Sequence, residues 1–110
     1  MKKILLACSS GMSTSLLVSK MKSYAESIGD EAEIWAVGQD QAQQEMEKAD
    51  ILLIGPQMRF MKKKLAKFAD ELNIPLDVID PVAYGRIDGE AVYKKALQLM
   101  SKNKNRGRKK

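Results

Sequence analysis

The chain has no histidine and only one cysteine, Cys8, in 110 residues. Without histidine there is no Cys–His nucleophile pair, no imidazole proton shuttle and almost no zinc chemistry. A lone cysteine permits neither an intramolecular disulfide nor a thiolate cluster, so the expectation is no metal and no cofactor. Long apolar runs are missing too: none approaches the ~20 residues of a membrane span. The Met-Lys-Lys start leads into an apolar run, Ile4 to Ala7, shorter than the ~7–15 residues of a signal-peptide core. These absences predict a cytoplasmic protein. Basic excess is confined to one end. Lys102 to Lys110 holds six basic and no acidic residues, and without it 13 Lys and Arg face 14 Asp and Glu. The net charge of +5 therefore belongs to a tail. That tail reads as a disordered, solvated end, the alternative being a binding module for nucleic acid or anionic lipid.

What is present is organised around Ile4 to Leu17. The apolar run stops at Cys8; six small or polar residues and Met12 follow, and a helical pattern starts near Ser15. A buried strand, a loop of small residues and a helix N-terminus form a cradle for an anion, because the first N–H groups of a helix have no intrahelical partner. A field that holds phosphate also favours a thiolate. Cys8, at the mouth of that cradle, is the candidate nucleophile and phosphoryl carrier. The backbone N–H groups of Ser9, Ser10, Gly11, Met12, Ser13, Thr14 and Ser15 are the candidate phosphate donors. A lone cysteine is otherwise an inert buried hydrophobe, Ser9 and Ser10 otherwise turn residues, and Ser13 or Thr14 serves as helix N-cap.

Residues 2–7 read as a strand apolar on both faces, as a covered parallel sheet requires. Leu17, Met21, Tyr24 and Ile28 form one helical stripe ended by Gly29. Glu33 to Val37 is a weaker strand, broken by Gly38. Asp40 caps a short helix to about Lys48, with Gln43 as its capping-box partner. Ile51 to Ile54 is the clearest strand, ended by Gly55-Pro56. A helix follows from about Met58 to Leu72, with Lys62, Lys63, Lys64 and Lys67 as its solvated side. Leu76 to Ile79 is a fourth strand, Asp80 opens a loop, and a last helix runs from about Gly89 to Ser101, burying Tyr93, Ala96, Leu97 and Met100. This alternation predicts one three-layer α/β domain over residues 1–101, with a four-stranded parallel sheet in order 2-1-3-4 and helices on both faces. Ligands bind such sheets beyond the strands' carboxyl ends, where the order reverses. That places the Cys8 loop beside Gly55 to Met58, with Asp80 to Tyr84 near.

The loop has the spacing of a tyrosine-phosphatase cradle, Cys-x5-Arg-Ser/Thr, with Thr14 at the arginine position. Hydrolysis needs that guanidinium to bind substrate and steady the transferring charge. Its absence favours a phosphocysteine that waits for an acceptor over a low-molecular-weight phosphatase or arsenate-reductase-like thiol enzyme, the alternative reading. Met12, Met58 and Tyr84 would ring the site as an adaptable docking surface, or the methionines simply pack. Gln57 is either a site amide or a turn residue.

The chain resembles the enzyme IIB component of the bacterial sugar phosphotransferase system, lactose/cellobiose/chitobiose class. The likeness lies in Cys8 to Met21, Leu53 to Gln57, Val78 to Asp80 and Tyr84 to Gly89, and covers about residues 2–101. It implies that Cys8 accepts phosphate from a histidine of enzyme IIA. Cys8 then passes it to a sugar, such as cellobiose, chitobiose or lactose, held by the membrane permease, enzyme IIC. It further implies peripheral association with that permease. A transient relay needs no assembly beyond the monomer, and the confinement of the basic excess to the tail predicts no nucleic-acid partner. Residues 102–110 lie outside the resemblance.

Overall fold

The two continuous apolar runs become the central strands of the sheet. β1 (Lys2–Cys8) lies between β2 (Ala32–Gly38) and β3 (Ile51–Ile54), and β4 (Leu76–Val78) completes the parallel order β2-β1-β3-β4. The computed structural model describes residues 2–8 and 11–108. Strand pleating sends Ile4, Leu6, Ile51 and Leu53 to one face, and Leu5, Ala7, Leu52 and Ile54 to the other. All are buried. Each such Leu or Ile contributes ~1.5–3 kcal/mol, which is why these runs show no polar alternation.

On the first face pack α1 (Gly11–Ser27), α4 (Pro81–Gly85) and α5 (Gly89–Arg108); on the second lie α2 (Gln39–Glu45), two 3-10 turns (Met46–Lys48 and Pro56–Met61) and α3 (Lys62–Leu72). Several local expectations change. α1 begins at Gly11, four residues before Ser15, so neither Ser13 nor Thr14 is its N-cap. Its stripe is Leu17, Val18, Met21 and Ala25 with Tyr24 packed beside them, while Ile28 is exposed. Ile28 lies past the helix end: Gly29 takes φ 74°, with Gly29 N–H on Glu26 O and Asp30 N–H on Ala25 O, a Schellman closure. Gly38, not Asp40, is the N-cap of α2 and no side chain caps it; Asp40 sits in the first turn, where its charge suits the dipole. Asp80 to Gly85 is not a loop. Asp80 Oδ2 accepts from Ala83 N–H at 3.0 Å, and Pro81 opens the five-residue α4. α5 continues to Arg108, through residues read from sequence as a disordered tail. No described helix is long and apolar enough to cross a membrane.

α1 and α5 meet over a buried phenol. Tyr93 stacks edge-on to Tyr24 and donates its hydroxyl proton to Asp30 Oδ2 at 3.0 Å. Burial, then the Asp30 hydrogen bond, push the Tyr93 hydroxyl from 10.0 up to about 12. A pKa raised by folding stabilises the native state fully below the unfolded value and loses that stabilisation as pH rises through the folded one. Unfolding free energy should therefore fall by about 2–3 kcal/mol between pH 10 and 12. Denaturant titrations across that window should show a smaller fall in Tyr93→Phe.

Candidate functional site

Cys8 is the last residue of β1, still paired in register with Gly38. The chain enters α1 at Gly11. A helix starting there leaves the N–H groups of Gly11, Met12 and Ser13 without intrahelical acceptors, whereas Ser15 N–H falls to the carbonyl of Gly11. Ser15 thus leaves the set of phosphate donors. The expectations for Ser9 and Ser10 lie outside the described residues, as do those for the side chains of Gly11, Met12 and Ser13. The first turn of α1 has no acidic residue, so nothing in it opposes an anion at its positive end.

The neighbouring strand ends converge as the strand order requires. Gly55 N–H donates to Ala7 O at 2.9 Å, and Ile79 N–H to Ile54 O at 2.8 Å, which extends the ladder one residue past β3 and β4. Gln57 then projects beside the end of β1. Its amide folds over Gly55, where an added Cβ would lie 2.8 Å from Gln57 Oε1. Gln57 Nε2 donates to the Tyr84 hydroxyl at 3.1 Å. That same hydroxyl lies 3.2 Å from Thr14 Oγ1. Asp80 aims the phenol by capping α4, and its carbonyl accepts Tyr84 N–H at 2.8 Å. One phenol therefore ties together α1, the turn after β3, and α4. Tyr84→Phe should cost about 1–2 kcal/mol, since it strips partners from a buried hydroxyl and an exposed amide; urea midpoints would measure it.

Two expectations need correction. Cys8 is not at an open mouth: its exposure is 0%. It belongs to the core cluster on the second face of the sheet, with Ala7, Ile54 and Met58 among its members, because the sheet still holds it where the chain turns. Met58 is not a docking residue. Its exposure is also 0%, since a kink in the 3-10 turn at φ −109°, ψ 17° accompanies its insertion into the core. Thr14 stands where a phosphatase has arginine, but its side chain is 1% exposed and engages Tyr84. Gln57 is exposed and Tyr84 half-buried.

Sequence reasoning overlooked the apolar rim. Leu16 (56% exposed), Phe60 (70%) and Val82 (61%) stand on α1, the 3-10 turn after β3, and α4, all at the carboxyl end of the sheet. Their only sequence signal is position: each lies shortly after a strand, off its helix's buried stripe.

Known proteins share this architecture and sequence. Residues 3–95 match the family described as PTS system, Lactose/Cellobiose specific IIB subunit. The oligo-beta-mannoside-specific EIIB component of Bacillus subtilis (strain 168) is 68% identical over 100 residues, spanning 91% of this chain and 97% of that protein. The solution structure of a cellobiose-specific IIB component from Borrelia burgdorferi superposes with a TM-score of 0.78 at 34% identity, covering 93% of this chain and 94% of that one. The lactose-specific IIB domain of Streptococcus pneumoniae shares the fold at 15% identity, with a TM-score of 0.81 over 89% of this chain and 96% of that one. With a lone cysteine ending the first strand of this sheet and that breadth of identity, the chain belongs to the lactose/cellobiose-specific IIB family of the phosphotransferase system.

Proposed function

We propose that the protein is a phosphoryl relay in which Cys8 takes a phosphoryl group from a phosphohistidine of enzyme IIA and hands it to a sugar held by enzyme IIC. In the first step the thiolate sulfur attacks phosphorus. The S–P bond forms as the P–N bond breaks, and the imidazole leaves with the electron pair. In the second a sugar hydroxyl oxygen attacks phosphorus and gives up its proton to solvent, while the S–P bond breaks with its electron pair and the thiolate returns. The N–H groups that lack intrahelical acceptors in the first turn of α1, and its dipole, favour the phosphoryl charge in both steps. Leu16 and Val82 flank the site as the apolar contacts of a surface that must accept donor and acceptor in turn. The oligo-beta-mannoside name of the Bacillus relative supports a β-linked oligosaccharide as the cargo.

The observation that carries this reading is the placement of Cys8 where β1 ends and α1 begins, in a chain of this family. Because that sulfur is enclosed, the residues around it must move before the donor reaches it, so phosphorylation is coupled to an opening of the site. The phosphatase reading lacks an arginine at the position of Thr14 and gains nothing from the Thr14–Tyr84 contact. Incubation with phosphorylated enzyme IIA should give one phosphate-sized mass gain, localised to Cys8. Continuous release of inorganic phosphate without an acceptor would instead favour the hydrolase.

A further inference from the structure

The cations of the folded body are not spread evenly. Between residues 59 and 67 there are five, Arg59, Lys62, Lys63, Lys64 and Lys67, and no acidic residue; the rest of residues 1–101 carries 8 Lys and Arg against 14 Asp and Glu. All five are exposed. Among the described residues the ion pairs are Lys2–Asp30, Lys48–Glu45 and Lys94–Glu90, and none of the five belongs to one of them. Three of them form the first turn of α3, which has no acidic residue. Positive charge there opposes the helix dipole and lowers local stability. Beside them Phe60 is 70% exposed.

This patch stands at the end of the molecule where Cys8 lies. α3 starts directly after the turn Pro56–Met61, which leaves β3 beside the end of β1. We propose that the start of α3, with Phe60, is a membrane-contact surface for anionic phospholipid headgroups. Four of the five charges are lysines, compact hydrated point charges without the planar fork that suits directional carboxylate pairing. They match a diffuse negative surface, into whose interface an exposed aromatic ring inserts. The acidic remainder of residues 1–101 is repelled by that surface, which turns the patch end of the folded body toward it. The affinity itself does not depend on the relay. Its consequence, holding the Cys8 end toward a membrane-embedded acceptor, rests on the relay reading.

Sedimentation of the full chain with vesicles tests this. Binding is expected to phosphatidylcholine vesicles containing phosphatidylglycerol, not to phosphatidylcholine alone, and to weaken from low to physiological salt. Each lysine near such a surface is worth about fivefold, so K62Q/K63Q/K64Q should weaken partitioning on the order of a hundredfold. Phe60→Ser should weaken it further. The triple variant removes unfavourable charge from a helix N-terminus, so its melting temperature should hold or rise, which separates lost binding from unfolding. As a control, K102Q/K104Q should bind like the wild type. The proposal is overturned if the wild type ignores phosphatidylglycerol at low salt, or if the triple variant binds as well as wild type. It is also overturned if the triple variant keeps vesicle binding while phosphoryl transfer from enzyme IIA slows, which would assign the patch to an acidic protein. Since no phosphoryl donor is present in the vesicle assay, its failure leaves the relay intact, and loss of the mass gain leaves the lipid contact intact.

Discussion

Cys8→Ser is expected to lower phosphoryl transfer from enzyme IIA by several orders of magnitude while the domain stays folded. The sulfur is the only thiol in the chain, and there is no histidine to activate a hydroxyl in its place. A serine oxygen keeps its proton at neutral pH, and the dipole of α1 cannot make it a comparable nucleophile. The stability change should be small by comparison. Cys8 is buried in the core cluster on the second face of the sheet, so exchanging a thiol for a hydroxyl there costs about 1–2 kcal/mol at most. Cys8→Ala supplies the second arm, since it removes the reacting atom without burying a hydroxyl. Mass spectrometry reports phosphate uptake and thermal unfolding reports the fold. A Cys8→Ala protein that still gained phosphate at an unchanged rate would place the carrier elsewhere and end the proposed mechanism.

Gly89→Ala should be the most damaging single-methyl change in the molecule. A Cβ at Gly89 would lie 2.5 Å from the Lys20 carbonyl carbon and 2.6 Å from Met21 N, and both of those atoms are backbone of α1. No rotamer change relieves such a contact; α5 must retreat from α1. The turn before it has little slack, since Ile87 already takes φ 53° and Asp88 Oδ1 holds Ala91 N–H at 3.1 Å. Overpacking of this kind costs about 3 kcal/mol. For a domain of this size that lowers the melting temperature by roughly 10–15 °C. Any displacement of α5 also disturbs Tyr93 against Asp30 and Tyr24. An alanine variant that melted with the wild type would show that the two helices are not in fixed contact at this point.

Legibility in the sequence followed the length and regularity of each signal. Ile51 to Ile54 was readable to the residue, because four apolar neighbours bounded by Asp50 and Gly55-Pro56 can only be a buried strand of this class. α4 was missed as five residues offer no helical period, although Asp80-Pro81 already spelled an N-cap followed by proline at the first helical position. The start of α1 was misplaced for the opposite reason. Ser9, Ser10, Ser13, Thr14 and Ser15 are all competent caps, so local chemistry does not choose among them. At the candidate site, Cys8 and its position at a strand end were legible, as was the proximity of Gln57 and Tyr84; the burial of Met58 and of the thiol was not.

The parallel alternation and the order β2-β1-β3-β4 could be inferred from the order of residues alone, because apolar periodicity and handed crossovers leave few arrangements; the family came from the resemblance of stretches such as Cys8 to Met21. Tertiary structure alone decided which side chains face inward at the strand ends, and that Tyr84 meets Thr14 from 70 positions away and Gln57 from 27. Periodicity reports the face of one element at a time. A meeting across three crossovers depends on how far each strand extends and how each helix seats on the sheet, and those are set by packing the whole core at once.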